Sequence, residues 1–162
     1  AMEICGLPFA DTAFILQWHV IGMFAPSFFT GDLIKRCGVL TVLLVGAALL
    51  LVCIGIALSG VSLMHFWWAL VLLGVGWNFL FVGGTTLLTD ACRPEEKAKI
   101  QGSNDFIVLG VQGATSFAAG LLVTDGGWTT LSILALPLVA LTTLASVVLA
   151  VRRRRRADDA GF

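Results

Sequence analysis

Residues 39–58 read VLTVLLVGAALLLVCIGIAL, and this run decides the environment of the whole chain. Twenty residues of α-helix rise about 30 Å, the thickness of a bilayer's hydrocarbon core. Thirteen of the twenty are Leu, Ile or Val, and none is charged. At about 0.3 to 0.6 kcal/mol for each such residue near the helix centre, insertion is favoured by about 4 to 8 kcal/mol as an upper figure. A buried helix of a water-soluble protein would keep at least some polar stripe.

Four further apolar stretches flank this one. Together the five give an all-α, polytopic membrane protein with transmembrane helices at about 12–30, 39–59, 64–88, 106–124 and 128–151. Residues 1–151 are expected to form one helical bundle, and 152–162 a basic cytoplasmic tail. The bulk composition agrees. Of 162 residues, 58% are hydrophobic and only 12% charged, about half the charge usual for soluble domains. Mean hydropathy is +0.97.

The basic residues are segregated. All ten fall in three places: Lys35 and Arg36; Arg93, Lys97 and Lys99; and Arg152 to Arg156. The alternate connections hold Glu3 and Asp11, then the uncharged 59–63, then Asp125. Cationic loops stay on the cytoplasmic side, so the N-terminus is expected outside and the C-terminus inside. The expected location is a plasma membrane, the inner membrane of a bacterium. Trp128 stands where an interfacial aromatic anchors a helix, and Trp67 and Trp68 lie just inside the start of the third span. The arginine run suits contact with anionic lipid head groups rather than nucleic acid. The opening residues do not read as a signal peptide, since they lack a basic region and carry Glu3.

The connection after the first span reads GDLIKRCG, residues 31–38. It resembles the loop motif of the major facilitator superfamily, commonly written GxLaDRxGRr. Gly31, Leu33, Arg36 and Gly38 match it. Lys35 stands where an acid is usual and Val39 where a base is usual, which suits the degenerate second copy of the motif. The glycine-rich third span, LLGVGWNFLFVGGTTLLT at 72–89, followed by RPEEKAKIQG at 93–102, resembles the same family, as does the basic C-terminus. The resemblance implies that the five spans correspond to helices 8 to 12, most of one six-helix bundle, with residues 1–11 as the tail of helix 7. A match to helices 2 to 6 would want an Arg in the third span and a Gly–Pro pair in the fourth, and neither is present. It further implies a fragment of a secondary active transporter, moving a small organic solute by alternating access. Its partners would be membrane lipid, the missing N-terminal bundle and the solute, with a coupling proton left open. The fragment alone would be inactive. The rival reading is a small non-transporting scaffold or regulatory subunit, which explains the spans but not the GDLIKRCG motif or the polar stripe described next.

Polar residues at bilayer depth are costly and often functional. The first span carries Gln17 and His19, about 200° apart on a helix and so on different faces. Imidazole titrates near neutrality, which suits a proton carrier; the structural alternative for His19 is a hydrogen bond to a neighbouring helix. The third span offers Trp77 and a stripe of Asn78, Phe81 and Thr85 at spacings of three and four. By resemblance this helix lines the central cavity; the alternative is a packing stripe whose polar groups glue helices together. The fourth span adds Gln112 and Thr115, and a small-residue row of Gly110, Ala114 and Ala118 expected to pack on another helix. By resemblance, Gly31, Asp32, Arg36, Gly38 and Asp90 form a cytoplasmic gate motif, with Arg36 reaching Asp90 or another acid of these loops; the alternative is solvated surface charges, each pair worth at most about 1 kcal/mol. Asp105 is expected in the first turn of the fourth span, where an acid suits the helix dipole.

Four cysteines, Cys5, Cys37, Cys53 and Cys92, show no CxxC or zinc spacing. No disulfide, metal or other cofactor is assigned. The sequence lacks GxxxxGK[ST], HExxH and GxSxG, so nothing in it points to an enzyme.

Overall fold

The computed structural model describes residues 2, 6 and 8–160, and for 123–128 and 154–160 the helical backbone only. Among the described residues the fold is all helix: α1 (Phe9–Phe24), α2 (Ser27–Cys37), α3 (Val39–Ser59), α4 (Leu63–Asp90) and α5 (Lys97–Ala160). Four stretches are long and apolar enough to cross a membrane, Val39–Ser59, Leu63–Asp90, Lys97–Leu122 and Thr129–Arg153, and the bent pair α1 and α2 makes a fifth. The chain is thus the polytopic helical membrane protein expected. Glu3, Cys5, Asp125, Trp128 and Arg154 to Arg156 lie outside the residues whose side chains are described.

Helix α4 is the centre, packed by α1 on one face and α3 on another. Its glycines set both contacts. A Cβ on Gly74 would stand 2.5 Å from the carbonyl oxygen of His19 in α1, and one on Gly76 would stand 3.1 Å from the carbonyl oxygen of Gly46 in α3. Such backbone-on-backbone crossings maximise dispersion contact where lipid removes the hydrophobic drive between helices. Few side chains are fully enclosed; Ile15, Val42, Ala47, Phe66 and Ala69 are among them. Large apolar groups point outward instead, with Phe28, Phe106 and Phe117 exposed by 84%, 80% and 74%. On a water-soluble protein so much apolar surface would be untenable; against lipid chains or further helices it is neutral.

The first span departs from expectation. It does not end near residue 30 but continues as α2 to Cys37, after a 40° bend between Phe24 and Ser27. Pro26 is the cause. It has no N–H to give the preceding turn, and its ring crowds the backbone four residues back. The residues of GDLIKRCG are therefore helical up to Cys37, and the turn into α3 rests on Gly38 alone, whose φ is +84°. That conformation is easy only for glycine. Helix α5 also starts earlier than expected, at Lys97. Asp105 consequently lies in its third turn, where the helix dipole no longer accounts for it. The row Gly110, Ala114 and Ala118 is exposed, so no helix packs on it among the described residues.

Helical structure is continuous from Lys97 to Ala160, yet α5 is not a straight rod. Lys99 and Ile100 share a cavity with Leu88 at the end of α4, while Ala150 and Arg153 share one with Gly38 and Val39 at the start of α3. Those two ends adjoin, since a Cβ on Gly83 would lie 3.8 Å from the Val39 side chain. In a straight helix Lys99 and Arg153 would be about 80 Å apart. The stretches Lys97–Leu122 and Thr129–Arg153 therefore run antiparallel. One consequence is that every described Lys and Arg gathers at the same end of the bundle. At the other end Trp67 meets Trp18 and Trp68 edge-on, with ring centroids 5.7 and 4.7 Å apart.

Candidate functional site

The break in the first span is held by one side chain of α4. Asn78 is 1% exposed. Its amide N–H groups donate to the Met23 carbonyl at 2.7 Å and to Ser27 Oγ at 2.5 Å. Its carbonyl accepts from Thr30 Oγ1 at 2.8 Å. The Thr30 hydroxyl lies equally close to the Pro26 carbonyl, so one proton is shared between two acceptors. A kinked helix frees backbone carbonyls, and in hydrocarbon each must find a donor. Asn78 is that donor. The stripe of Asn78, Phe81 and Thr85 suited either a cavity wall or helix packing; the structure buries Asn78 in the α1–α2–α4 contact, in the packing role. Thr85 lines neither of the two cavities described next.

Between α1, α4 and the first arm of α5 lie two adjoining cavities. One, of about 590 Å³, is bounded by His19, Trp77, Gln112 and Thr115. The other, of about 390 Å³, is bounded by Trp77, Phe81, Asp105 and Gln112. Met23 and Val108 also border both. Five of the eight cavity residues singled out from sequence thus come together here, on three different helices.

Their chemistry is complementary. Trp77 and Phe81 stack face to face, 4.8 Å between centroids and 7° from parallel, one turn apart on α4. Each ring covers the inner face of the other, so a solute can meet the pair at an outer face or along its edges. His19 Nδ1 lies 2.8 Å from the Leu70 carbonyl. A carbonyl can only accept, so Nδ1 carries the proton and Nε2 is the nitrogen available to a solute. This is the helix-bridging role weighed for His19, and it leaves the ring on the cavity wall as well. The Thr115 hydroxyl donates back to the carbonyls of Val111 and Gln112 at 2.8 and 3.1 Å, which leaves only its lone pairs for a ligand. Gln112 offers both a donor and an acceptor. Gln17 is exposed and outside both cavities.

The residues expected to form a cytoplasmic gate lie on two helices and the turn after one of them. Gly31, Asp32 and Arg36 sit on α2, Gly38 at the turn and Asp90 at the last turn of α4. Among the described residues the ion pair is Lys35 to Asp32, 3.2 Å and largely exposed; none joins Arg36 to Asp90. An exposed i,i+3 pair of this kind contributes at most about 1 kcal/mol.

Sequence reasoning missed Ser27, Thr30 and Met23 as partners of the break, and Asp105 as a cavity acid. A proline in one span facing an asparagine in another was the available signal for the first group.

Comparison with known proteins agrees with this architecture. The chain is 46% identical over 145 residues to the riboflavin transporter RfnT of Brucella anthropi, covering 90% of this chain and 36% of that protein. It is 35% identical over 127 residues to the uncharacterized MFS-type transporter YddS of Bacillus subtilis, covering 76% of this chain and 29% of that protein. The chain thus spans about a third of the length of these relatives. No solved structure matches it. The family model of the Major Facilitator Superfamily matches residues 2–161, and with five apolar spans around a glycine-crossed central helix, the chain belongs to that superfamily of membrane transporters.

Proposed function

We propose that this chain forms most of the C-terminal helical bundle of a bacterial inner-membrane permease, whose solute is a planar heteroaromatic molecule of the riboflavin class. The observation that carries the reading is the stacked Trp77–Phe81 pair, with Gln112, Thr115 and His19 around the same cavities. A flat ring system gains stacking energy by extending such a pair on an outer face, and a few convergent polar groups fix its orientation. The name of the 46% identical relative supports this solute class. The open side of the cavity is completed by the N-terminal bundle of the same transporter, and the two bundles rock about the midplane site to give alternating access. The spans correspond to helices 8 to 12 of that architecture. The end bearing the clustered Lys and Arg faces the cytoplasm, so the N-terminus of this chain lies outside and its C-terminus inside.

Two experiments test the proposal. In the full-length transporter, Trp77→Ala is expected to lower riboflavin uptake about tenfold or more, on the scale of a lost base–aromatic stack of about 1 to 3 kcal/mol. Uptake of labelled riboflavin at wild-type rates by that variant, at equal membrane abundance, overturns the solute assignment. For orientation, a single cysteine replacing Lys99 in a cysteine-free background is expected to resist a membrane-impermeant maleimide in intact cells and to react after lysis. Labelling in intact cells inverts the topology.

A further inference from the structure

The acid of the aromatic cavity has no structural task of its own. Asp105 lies in the third turn of α5, past the reach of the helix dipole. It forms no ion pair among the described residues, and its hydrogen bond there is a long one of 3.4 Å from its neighbour Asn104. It nevertheless borders the same cavity as Trp77, Phe81 and Gln112. Gln112 follows it by seven residues, two helical turns on the same face, or about 10 Å along the axis.

Resting on the solute class proposed above, we infer that Asp105 is a specificity-determining residue that accepts hydrogen bonds from the polyol side chain of the solute, while Gln112 serves its ring edge. The chemistry separates the two roles. The imide edge of a flavin ring presents one N–H between two carbonyl oxygens. A carboxylate brought to that edge is repelled by both carbonyls. A carboxamide, with a donor and an acceptor side by side, fits it. A chain of vicinal hydroxyls offers the reverse: several donors in a row, which a two-oxygen acceptor takes up well. With the ring on an outer face of the Trp77–Phe81 stack and its imide edge at Gln112, a carboxylate two turns away stands where a flexible hydroxylated tail can reach.

The test uses the full-length transporter in detergent, with quenching of flavin fluorescence as the binding signal. Two probes are compared: riboflavin, which carries the ribityl chain, and lumiflavin, which has the same ring with a methyl group in its place. Asp105→Asn is expected to weaken riboflavin binding about tenfold to a hundredfold, the scale of a hydrogen bond to a charged acceptor, and to leave lumiflavin binding unchanged. Intact lumiflavin binding also certifies that the variant is folded. Asp105→Glu, which keeps the acceptor, is expected to recover most of the riboflavin affinity. Equal weakening of both probes, or no change in either, overturns the inference while leaving the solute class standing. Wild-type protein that quenches neither flavin overturns the solute class, and this inference with it.

Discussion

Gly74→Val is expected to abolish recovery of folded full-length transporter, whereas Gly84→Val, ten residues along the same helix, should behave like wild type. The difference lies in what each new side chain would meet. At Gly74 a Cβ alone would stand 2.5 Å from the His19 carbonyl oxygen and 3.0 Å from the Met23 nitrogen, both backbone atoms of α1. At Gly84 nothing lies within 4 Å. Backbone cannot rotate aside as a side chain can, so α1 and α4 must separate. The contrast with Gly83 is instructive, since a Cβ there would meet only side chains, Val39 at an ordinary 3.8 Å and Leu43 at 2.9 Å, and Leu43 can change rotamer. Overpacking of this kind costs about 1 to 3 kcal/mol, and more where backbone must move. Separation at Gly74 also draws out the His19 to Leu70 bond of 2.8 Å and the Asn78 to Met23 bond of 2.7 Å, because both cross the same contact. The measurement is monodisperse yield by size exclusion in detergent after matched membrane expression. Wild-type yield from Gly74→Val would mean that the two helices do not cross at this residue.

What the sequence reveals here is what it encodes locally. The span 39–59 coincides with α3, and the third span falls within two residues of α4 at each end, because continuous apolarity over a bilayer's thickness is a property of the segment alone. The motif at 31–38 misled for a local reason too. Two glycines and three charges look like a loop, but only Gly38 adopts a φ that requires glycine; Gly31 is an ordinary helical residue with open space around it. The early start of α5 was hidden because residues 97–105 are polar, and hydropathy marks where a helix enters lipid rather than where it begins. In the site, Trp77 and Asn78 are adjacent in sequence, and periodicity could not tell which of them faces the cavity. That depends on where Pro26 breaks a different helix, which is non-local information. The same holds for Asp105, whose role changes once the helix is known to start eight residues before it.

The second large effect concerns that break. Asn78→Leu is expected to destabilise the full-length protein by about 2 kcal/mol, the sum of three interhelical hydrogen bonds that average about 0.6 kcal/mol each within membranes. The loss stays below the cost of three orphaned polar groups, because the remaining hydroxyls can partly repair it. Thr30 can give its proton wholly to the Pro26 carbonyl, already 2.8 Å away, and Ser27 is four residues after Met23, the spacing at which a serine hydroxyl bonds back to a helix carbonyl. Removing that repair exposes it: Ser27→Ala should be more costly in the Asn78→Leu background than in wild type. Pro26→Ala should act the other way. It restores an N–H to the break and lets α1 run into α2, so it relieves the Asn78→Leu protein more than it helps the wild type. Denaturation in detergent across this set of single and double variants gives the coupling energies. If Asn78 instead contacted solute in an open cavity, Asn78→Leu would weaken binding without altering stability, and the effects of Ser27→Ala and Pro26→Ala would simply add.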